Sequence, residues 1–144
     1  MIYLDTSALV KKYAIESGTN EIRALLKNED IIITSKLTYA EVCASFARKL
    51  REGNMGKGSY KKAWESFLND WEVFTLVEVR EEIFPLIHKL TQTHQLRGAD
   101  AVHLSSALWL GEEIGRPLLF VASDSLLLRA ATIEGLEVIN PGQT

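Results

Sequence analysis

The stretch Met1-Ile2-Tyr3-Leu4-Asp5-Thr6-Ser7-Ala8-Leu9 opens the chain and decides its fold class. The apolar residues 2–4 predict a short strand that is buried on both faces. Asp5 ends this strand, and residues 7–14 follow a helical pattern. A buried strand that passes directly into a helix is typical of an open α/β sheet, which binds its ligands at the carboxyl ends of the strands. Asp5 therefore stands where such a protein would place its functional site.

The same alternation continues along the chain. Further strands are predicted at residues 31–33, 73–77, 118–121 and 137–139. Helices are predicted at residues 7–14, 19–27, 37–51, 60–71, 81–93, 99–114 and 125–134. Five strands that alternate with helices indicate an α/β sandwich with a covered sheet.

Composition limits the remaining possibilities. The chain has 144 residues, of which 47% are hydrophobic and 24% are charged, and this is ordinary for one globular domain over residues 1–144. The single cysteine, Cys43, excludes an intrachain disulfide and a cysteine-rich zinc site, and it suits a reducing compartment. We expect a soluble cytoplasmic protein, because no signal-peptide pattern is present and no apolar run approaches the roughly 20 residues of a membrane span.

Four carboxylates stand out from this background: Asp5, Glu41, Asp100 and Asp124. Asp5 and Asp124 each follow a predicted strand, where either could simply cap the next helix. Glu41 has no basic neighbour one helical turn away, although it could be a solvated surface residue. Asp100 could stabilise the start of its helix or pair with Arg97. Each acid has a structural explanation alone, whereas their shared placement at strand ends and on apolar helices predicts that they converge.

Converging carboxylates require a cation. Two of them about 4 Å apart repel each other by roughly 4 kcal/mol at an effective dielectric constant near 20. Hard oxygen ligands favour Mg²⁺ or Mn²⁺ over zinc. Such ions activate water and stabilise charge on a phosphoryl oxygen, which makes phosphodiester hydrolysis the natural chemistry of the predicted site.

The sequence around these acids resembles the PIN-domain ribonucleases, and especially the VapC-like toxins of type II toxin-antitoxin modules. Residues 2–9 (IYLDTSAL) are similar to the first motif of the family, and residues 38–42 (TYAEV) to the second. Residues 98–108 (GADAVHLSSAL) resemble the third motif, and residues 120–124 (FVASD) resemble the fourth. The four motifs occur in the family's order and cover the chain almost from end to end.

This resemblance implies a PIN-like three-layer α/β/α sandwich with a central, mostly parallel five-stranded sheet. It implies that Asp5, Glu41, Asp100 and Asp124 bind Mg²⁺ or Mn²⁺ and activate water to cleave RNA, leaving a 5′-phosphate on the downstream product. Asp5 and Asp100 would be the most direct metal ligands, with Ser7 and Ser123 as supporting hydroxyls. The resemblance also implies a homodimer and a cognate antitoxin that obstructs the acidic pocket.

A local excess of basic residues offers a place for RNA. The net charge is −3, from 16 basic and 19 acidic residues, yet residues 48–62 hold six basic side chains against the single acid Glu52. These six are Arg48, Lys49, Arg51, Lys57, Lys61 and Lys62. They could form a rim that contacts phosphates without reading sequence, or they could be the solvated faces of two amphipathic helices.

Other aromatic and apolar residues, and one histidine, have interpretations of their own. Trp64, Phe67, Leu68 and Trp71 recur at helical spacing, which favours packing or a partner groove over base stacking. His103 lies three residues after Asp100, where a structural or RNA-adjacent role is favoured over acid–base chemistry.

Two other functions can be set against metal-dependent RNA cleavage. Phosphoryl transfer through Asp5 is disfavoured because Ser7 stands where a second aspartate is usual, and because the chain has no Gly-rich phosphate loop. A non-catalytic RNA- or protein-binding PIN-like module remains the alternative.

Overall fold

A computed structural model describes residues 1–142 of the chain. Its sheet has five strands, all parallel, in the order β3-β2-β1-β4-β5. The strands are β1 (Ile2–Leu4), β2 (Ile32–Ser35), β3 (Thr75–Val77), β4 (Leu119–Val121) and β5 (Glu137–Ile139). The prediction of a mostly parallel five-stranded sheet is confirmed, and the described sheet contains no antiparallel pair.

Seven α-helices connect the strands within residues 1–142. They are α1 (Thr6–Leu9), α2 (Thr19–Lys27), α3 (Leu37–Arg51), α4 (Lys57–Trp71), α5 (Phe84–His94), α6 (Gly98–Ile114) and α7 (Ser125–Ile133). Short 3₁₀ helices at Val10–Lys12 and Glu81–Ile83 follow α1 and precede α5. No helix of this described part of the chain is long and apolar enough to span a membrane.

Helices cover both faces of the sheet. In β1, Ile2 and Leu4 point to a core formed with α1 to α4, whereas Tyr3 points to a second core formed with α5 to α7. This alternation follows from the two-residue period of a strand. It produces three layers, α/β/α, as the sequence indicated.

Three helices have boundaries several residues away from the predictions, and α6 and α7 each differ from them by one residue. The first predicted helix, 7–14, ends at Leu9 and tightens into a 3₁₀ turn, which is common at helix ends. Helix α4 begins at Lys57 rather than at residue 60, because Gly58 in the first turn costs less than a glycine in a helix interior. The predicted helix 81–93 begins as a 3₁₀ turn, and α5 starts beside Pro85, a residue suited to the first helical turn.

The aromatic residues of α4 pack as the helical spacing predicted. Phe67 is fully buried, and Trp64 and Trp71 lie against it within the core beneath α1 to α4. Leu68 differs from this pattern, since it lies on the exposed side of the helix. These rings therefore stabilise the layer of helices rather than presenting a stacking surface.

The strand order fixes where a site can form. From β1 the chain moves outward to β2 and β3 on one side, and it later fills β4 and β5 on the other side. The order of the sheet thus reverses between β1 and β4, and such a switch point opens a crevice at the carboxyl ends of the two strands. Asp5 follows β1 and Asp124 lies three residues beyond β4.

Candidate active site

A cavity of about 510 Å³ opens at this switch point, within the usual range for ligand sites. It brings together side chains from four separate parts of the chain. All four sequence-predicted carboxylates line it: Asp5, Glu41, Asp100 and Asp124. Ser7 and Ser123 line it as well.

Asp5 is the most deeply buried of the four acids, with 3% of the residue exposed. It is the N-cap of α1, since its Oδ1 accepts a hydrogen bond from the Ala8 backbone N–H at 3.0 Å. The pKa of Asp5 is raised to about 6 from its ordinary value of 3.8, because burial and, to a smaller extent, the charge of Asp100 outweigh the opposing effects of His103, Ser7 and Ala8. The capping interpretation and the functional one are compatible, because the Asp5 carboxylate caps α1 and also lines the cavity.

Ser7 ties Asp5 to the opposite side of the switch point. Its Oγ lies 2.8 Å from both carboxylate oxygens of Asp5 and accepts a hydrogen bond from the Ser123 backbone N–H at 3.0 Å. The hydroxyl of Ser123 is buried and has no hydrogen-bond partner among the described residues. An unpaired buried hydroxyl at the edge of a carboxylate cavity is an unmet polar group that a ligand or water can satisfy.

Replacing Ser7 tests this connection. We expect Ser7→Ala to lower the free energy of unfolding by about 1 to 2 kcal/mol, because it removes hydrogen bonds to a charged group and leaves the Ser123 N–H unpaired. Thermal and urea unfolding measure the loss. Ser125→Ala, at an exposed position directly after Asp124, serves as the matched control. An unchanged midpoint for Ser7→Ala would contradict the structural role of this hydroxyl.

Glu41 is held by residues that are distant in sequence. Its Oε1 lies 2.6 Å from Nε2 of His103 and accepts a hydrogen bond from the Thr6 hydroxyl at 2.7 Å. The other ring nitrogen, Nδ1 of His103, lies 2.9 Å from the hydroxyl of Tyr3. Burial pushes the pKa of Glu41 upward, but the hydrogen bonds and charge of His103 and the bond from Thr6 outweigh it and lower the pKa overall.

His103 is the centre of this network and is only 1% exposed. Nε2 of His103 pairs with the Glu41 carboxylate, and Nδ1 of the same ring pairs with the Tyr3 hydroxyl, so both ring nitrogens have a hydrogen-bond partner. Because Tyr3 belongs to β1 and Glu41 to α3, the histidine fixes the third-motif helix against both. The preference for a structural histidine is consistent with this arrangement, in which His103 acts by holding Glu41.

Arg97 links the remaining two acids. Its Nε lies 3.5 Å from Asp100 Oδ2, and its Nη2 lies 3.8 Å from Asp124 Oδ2. Asp124 also caps α7, since its Oδ1 accepts from the Leu127 backbone N–H at 3.0 Å. Burial raises the pKa of Asp100, Arg97 lowers it, and Asp124 raises it again. The side chain of Arg97 is 83% exposed, so this guanidinium is free to leave the two acids.

The donor set suits a hard divalent cation. Four carboxylates and two hydroxyls supply only oxygen ligands, which Mg²⁺ and Mn²⁺ prefer. The raised pKa values of Asp5 and Asp100 indicate carboxylates that lack a full counter-charge. Within residues 1–142, no three histidine, cysteine or acidic side chains are already grouped as a metal-binding set. Binding one ion through three or more of these carboxylates would therefore require their side chains to rearrange.

The basic residues proposed as an RNA rim do not all line the same cavity. Arg48 and Lys49 line the carboxylate cavity. Lys62 lines a different cavity, beside Tyr13 and Met55. Arg51, Lys57 and Lys61 are exposed and line neither of these two cavities.

Comparison with known proteins places the chain in a family. Residues 2–133 match the model of the PIN domain. The chain belongs to the PIN-domain family. This PIN domain is 36% identical over 115 residues to "Ribonuclease VapC45" of Mycobacterium tuberculosis, covering 78% of each chain. It is 31% identical over 147 residues to "Ribonuclease VapC47" of the same organism, covering 99% of this chain and 98% of the relative.

Solved structures agree with the PIN fold. A "Toxin-antitoxin complex from Klebsiella pneumoniae" contains a chain that superposes with a TM-score of 0.68 at 18% identity, with 98% of both chains covered. The curated relatives place this PIN domain among the VapC ribonucleases, as the motifs suggested.

Sequence reasoning found the acids of the PIN domain but missed most of what holds them. Neither the hydrogen bonds of Thr6 to Glu41 nor those of His103 to Glu41 and Tyr3 were predicted. One signal was available, since His103 lies three residues after Asp100 and so shares its side of α6.

Proposed function

We propose that this chain is an Mg²⁺- or Mn²⁺-dependent endoribonuclease that hydrolyses RNA phosphodiester bonds, and that it is the toxin of a type II toxin-antitoxin pair. We take residues 1–144 as one PIN-like domain. The observation that supports the proposal most strongly is the convergence of Asp5, Glu41, Asp100 and Asp124 on one cavity at the switch point of the sheet. The names of the relatives point to the same activity.

We assign the metal to these four carboxylates, with Asp5 and Asp100 as the most direct ligands and Glu41 and Asp124 completing the set. The ion, when bound, supplies an activated water and neutralises charge that develops on the phosphoryl oxygen. Ser7 keeps the Asp5 carboxylate facing the cavity. His103 and Thr6 keep Glu41 ionised and oriented. Arg97 neutralises Asp100 and Asp124 and can turn toward a substrate phosphate once their charge is balanced otherwise.

The test of this function is incubation of the purified protein with total cellular RNA in Mg²⁺ or Mn²⁺, with and without a chelator. We expect cleavage into discrete fragments that stops when the divalent ion is removed. A folded protein that binds RNA but cleaves none of it under these conditions would favour the non-catalytic binding module instead.

The partners follow from the family. One of its solved neighbours is a toxin-antitoxin complex, and we propose that this chain likewise has a cognate antitoxin. We further propose a homodimer that acts in the cytoplasm, where its RNA substrate is found. Purification of this chain from cells with its bound partners tests for an antitoxin, and sedimentation analysis of the purified chain tests for a homodimer.

The basic rim remains a proposal. Its residues are expected to contribute unequally to RNA binding, because only some of them line the carboxylate cavity. Arg48 lines the carboxylate cavity, whereas Lys61 and Lys62 do not. We expect Arg48→Glu to weaken RNA binding by about tenfold, because a phosphate near the cavity loses a cation and meets an anion. The pair Lys61→Glu and Lys62→Glu should have a smaller effect. Binding titrations at two salt concentrations measure both, and an equal effect of the two changes would contradict this division.

A further inference from the structure

A second charged cluster lines the carboxylate cavity, formed by Lys11, Glu16 and Lys49. Glu16 lies between the two lysines, with Oε2 at 3.1 Å from Nζ of Lys49 and Oε1 at 3.8 Å from Nζ of Lys11. Nζ of Lys11 also donates to the backbone carbonyl of Ser17 at 2.7 Å. Two ammonium groups and one carboxylate give the cluster a net charge of +1.

The cluster is held in place by its surroundings. The side chains of Lys11 and Lys49 are only 12% and 17% exposed, although lysines are seldom buried unless they are paired. The loop that carries Glu16 is fixed by hydrogen bonds, since the Glu16 N–H donates to Thr19 Oγ1 at 2.9 Å and this hydroxyl donates to the Ala14 carbonyl.

Gly18 fixes the same loop from its other end. Its φ of +96° is in the left-handed region, and a Cβ there would lie 2.7 Å from the Pro141 carbonyl oxygen. Only glycine combines this conformation with so close an approach. Glu16 is therefore presented to the lysines by an ordered loop.

Helix α3 joins the cluster to the carboxylates. Glu41 and Lys49 are eight residues apart on this helix, which corresponds to about 12 Å along its axis. Ala44 and Ser45 line the cavity between them, and their small side chains leave the floor open. A strand of RNA with its scissile phosphate at the carboxylates would therefore place a flanking phosphate near Lys49.

We infer that Lys11 and Lys49 form a subsite for a flanking backbone phosphate of the RNA, and that Glu16 occupies this subsite as an internal anion until the phosphate replaces it. The inference rests on the proposed ribonuclease function, and it concerns how the carboxylate cavity binds a polyanionic strand. Glu16 keeps the two lysines ordered and facing the cavity, and its negative charge opposes RNA binding. Removing that charge should raise the cluster from +1 to +2 and strengthen binding.

The test measures RNA binding by fluorescence anisotropy, with a fluorescein-labelled single-stranded RNA of mixed sequence in Mg²⁺. The proteins carry Asp5→Asn so that the RNA stays intact. We expect Glu16→Gln to lower the Kd by about three- to tenfold and to steepen the salt dependence by about 0.7 in log–log slope. Glu16→Asp, which keeps the charge, should bind like the parent, and Lys49→Gln should bind about tenfold more weakly.

Matched controls remove the same charges elsewhere. Both control residues are exposed. Glu137 begins β5, and Lys27 ends α2 shortly before β2. They therefore lie near the amino ends of the strands, whereas the cavity lies at the carboxyl ends. Glu137→Gln and Lys27→Gln should change the Kd by less than about twofold. An equal gain in RNA affinity for Glu137→Gln and Glu16→Gln would overturn the inference, because the net charge of the protein alone would then explain the gain.

A double-mutant comparison separates binding from a purely structural role. If Glu16 acts through the lysines, Glu16→Gln should give a clearly smaller gain when Lys49→Gln is already present. In the cleaving protein, the effect of Glu16→Gln should be on KM rather than on kcat. A lower melting temperature with an unchanged Kd and KM would overturn the inference and identify the cluster as a structural clasp.

The inference and the proposed function fail in different ways. A parent protein that cleaves RNA, together with a Glu16→Gln variant of unchanged Kd, rejects only the subsite. A parent protein that neither cleaves nor binds RNA rejects the function, and the subsite with it.

Discussion

Asp5→Asn is expected to lower the rate of RNA cleavage by about 10³-fold or more and to make the metal-free protein more stable. The activity falls because the most buried carboxylate of the cavity, which we propose as a metal ligand, loses its charge. The stability rises because burial disfavours the ionised form of Asp5, whose pKa is raised to about 6. Asparagine retains an oxygen that can accept from the Ala8 N–H, so the cap of α1 is kept.

The size of this stabilisation follows from the pKa. A shift of about two units corresponds to roughly 3 kcal/mol at neutral pH. We expect Asp5→Asn to recover about 1 to 2 kcal/mol of this, because the amide also loses solvation on burial. Urea unfolding in a chelator at pH 8 measures the gain. A variant that is less stable and inactive would contradict the prediction, since the lost activity could then come from unfolding.

The pH dependence of stability has a defined sign. The folded-state pKa of Asp5, about 6, lies above its ordinary value of 3.8, so the folded protein binds the proton more tightly than the unfolded chain. The contribution of Asp5 is therefore fully present below about pH 4 and is lost as the pH rises through 6. Unfolding curves in chelator between pH 4 and 8 should show this decline in the parent and its absence in Asp5→Asn. An identical pH profile for the two proteins would contradict the assignment.

His103→Leu is expected to cost both stability and activity. Leucine fills a similar volume but leaves the Tyr3 hydroxyl and the Glu41 carboxylate without their partner. A buried polar group without a partner costs about 1 to 3 kcal/mol. Tyr3 is fully buried, whereas Glu41 is partly exposed and keeps its hydrogen bond from Thr6. We therefore expect the free energy of unfolding to fall by about 2 kcal/mol. Cleavage should fall by about 10- to 100-fold, because Glu41 is no longer held toward the cavity.

Two further variants separate these effects. Tyr3→Phe removes only the far end of the network, so it should cost about 1 kcal/mol and leave cleavage within about threefold of the parent. His103→Gln retains an N–H that can reach Glu41, so it should restore part of the activity lost in His103→Leu. Equal activities for the leucine and glutamine variants would contradict a positioning role for His103.

Local patterns predicted the scaffold well. The bounds of β1, β5, α2 and α3 agree with the sequence prediction, because each element has a clear apolar period or a flanking turn. Asp5 and Asp124 could be placed at one edge of the sheet, because parallel strands end on the same side.

Pairings between distant residues could not be predicted in the same way. The partner of Glu41 is His103, 62 residues away, and nothing on α3 itself indicates it. Glu16 meets Lys49 across 33 residues, through a loop whose path depends on Gly18 and Pro141. Such contacts arise from the packing of helices onto the sheet, which a single sequence does not specify locally. The positions of the basic residues could not be predicted for the same reason. Arg48 and Lys62 are close in sequence, yet they line different cavities.

The most direct test of the proposed mechanism is to identify the ends of the RNA fragments and the source of the new oxygen. The protein is incubated with RNA and Mg²⁺ in water enriched in oxygen-18, beside samples with chelator or with Asp5→Asn. We predict 5′-phosphate and 3′-hydroxyl ends, with the label on the 5′-phosphate, and no cleavage in either control. Ends with a 2′,3′-cyclic phosphate, or cleavage that persists in chelator or in Asp5→Asn, would contradict hydrolysis by a carboxylate-bound metal.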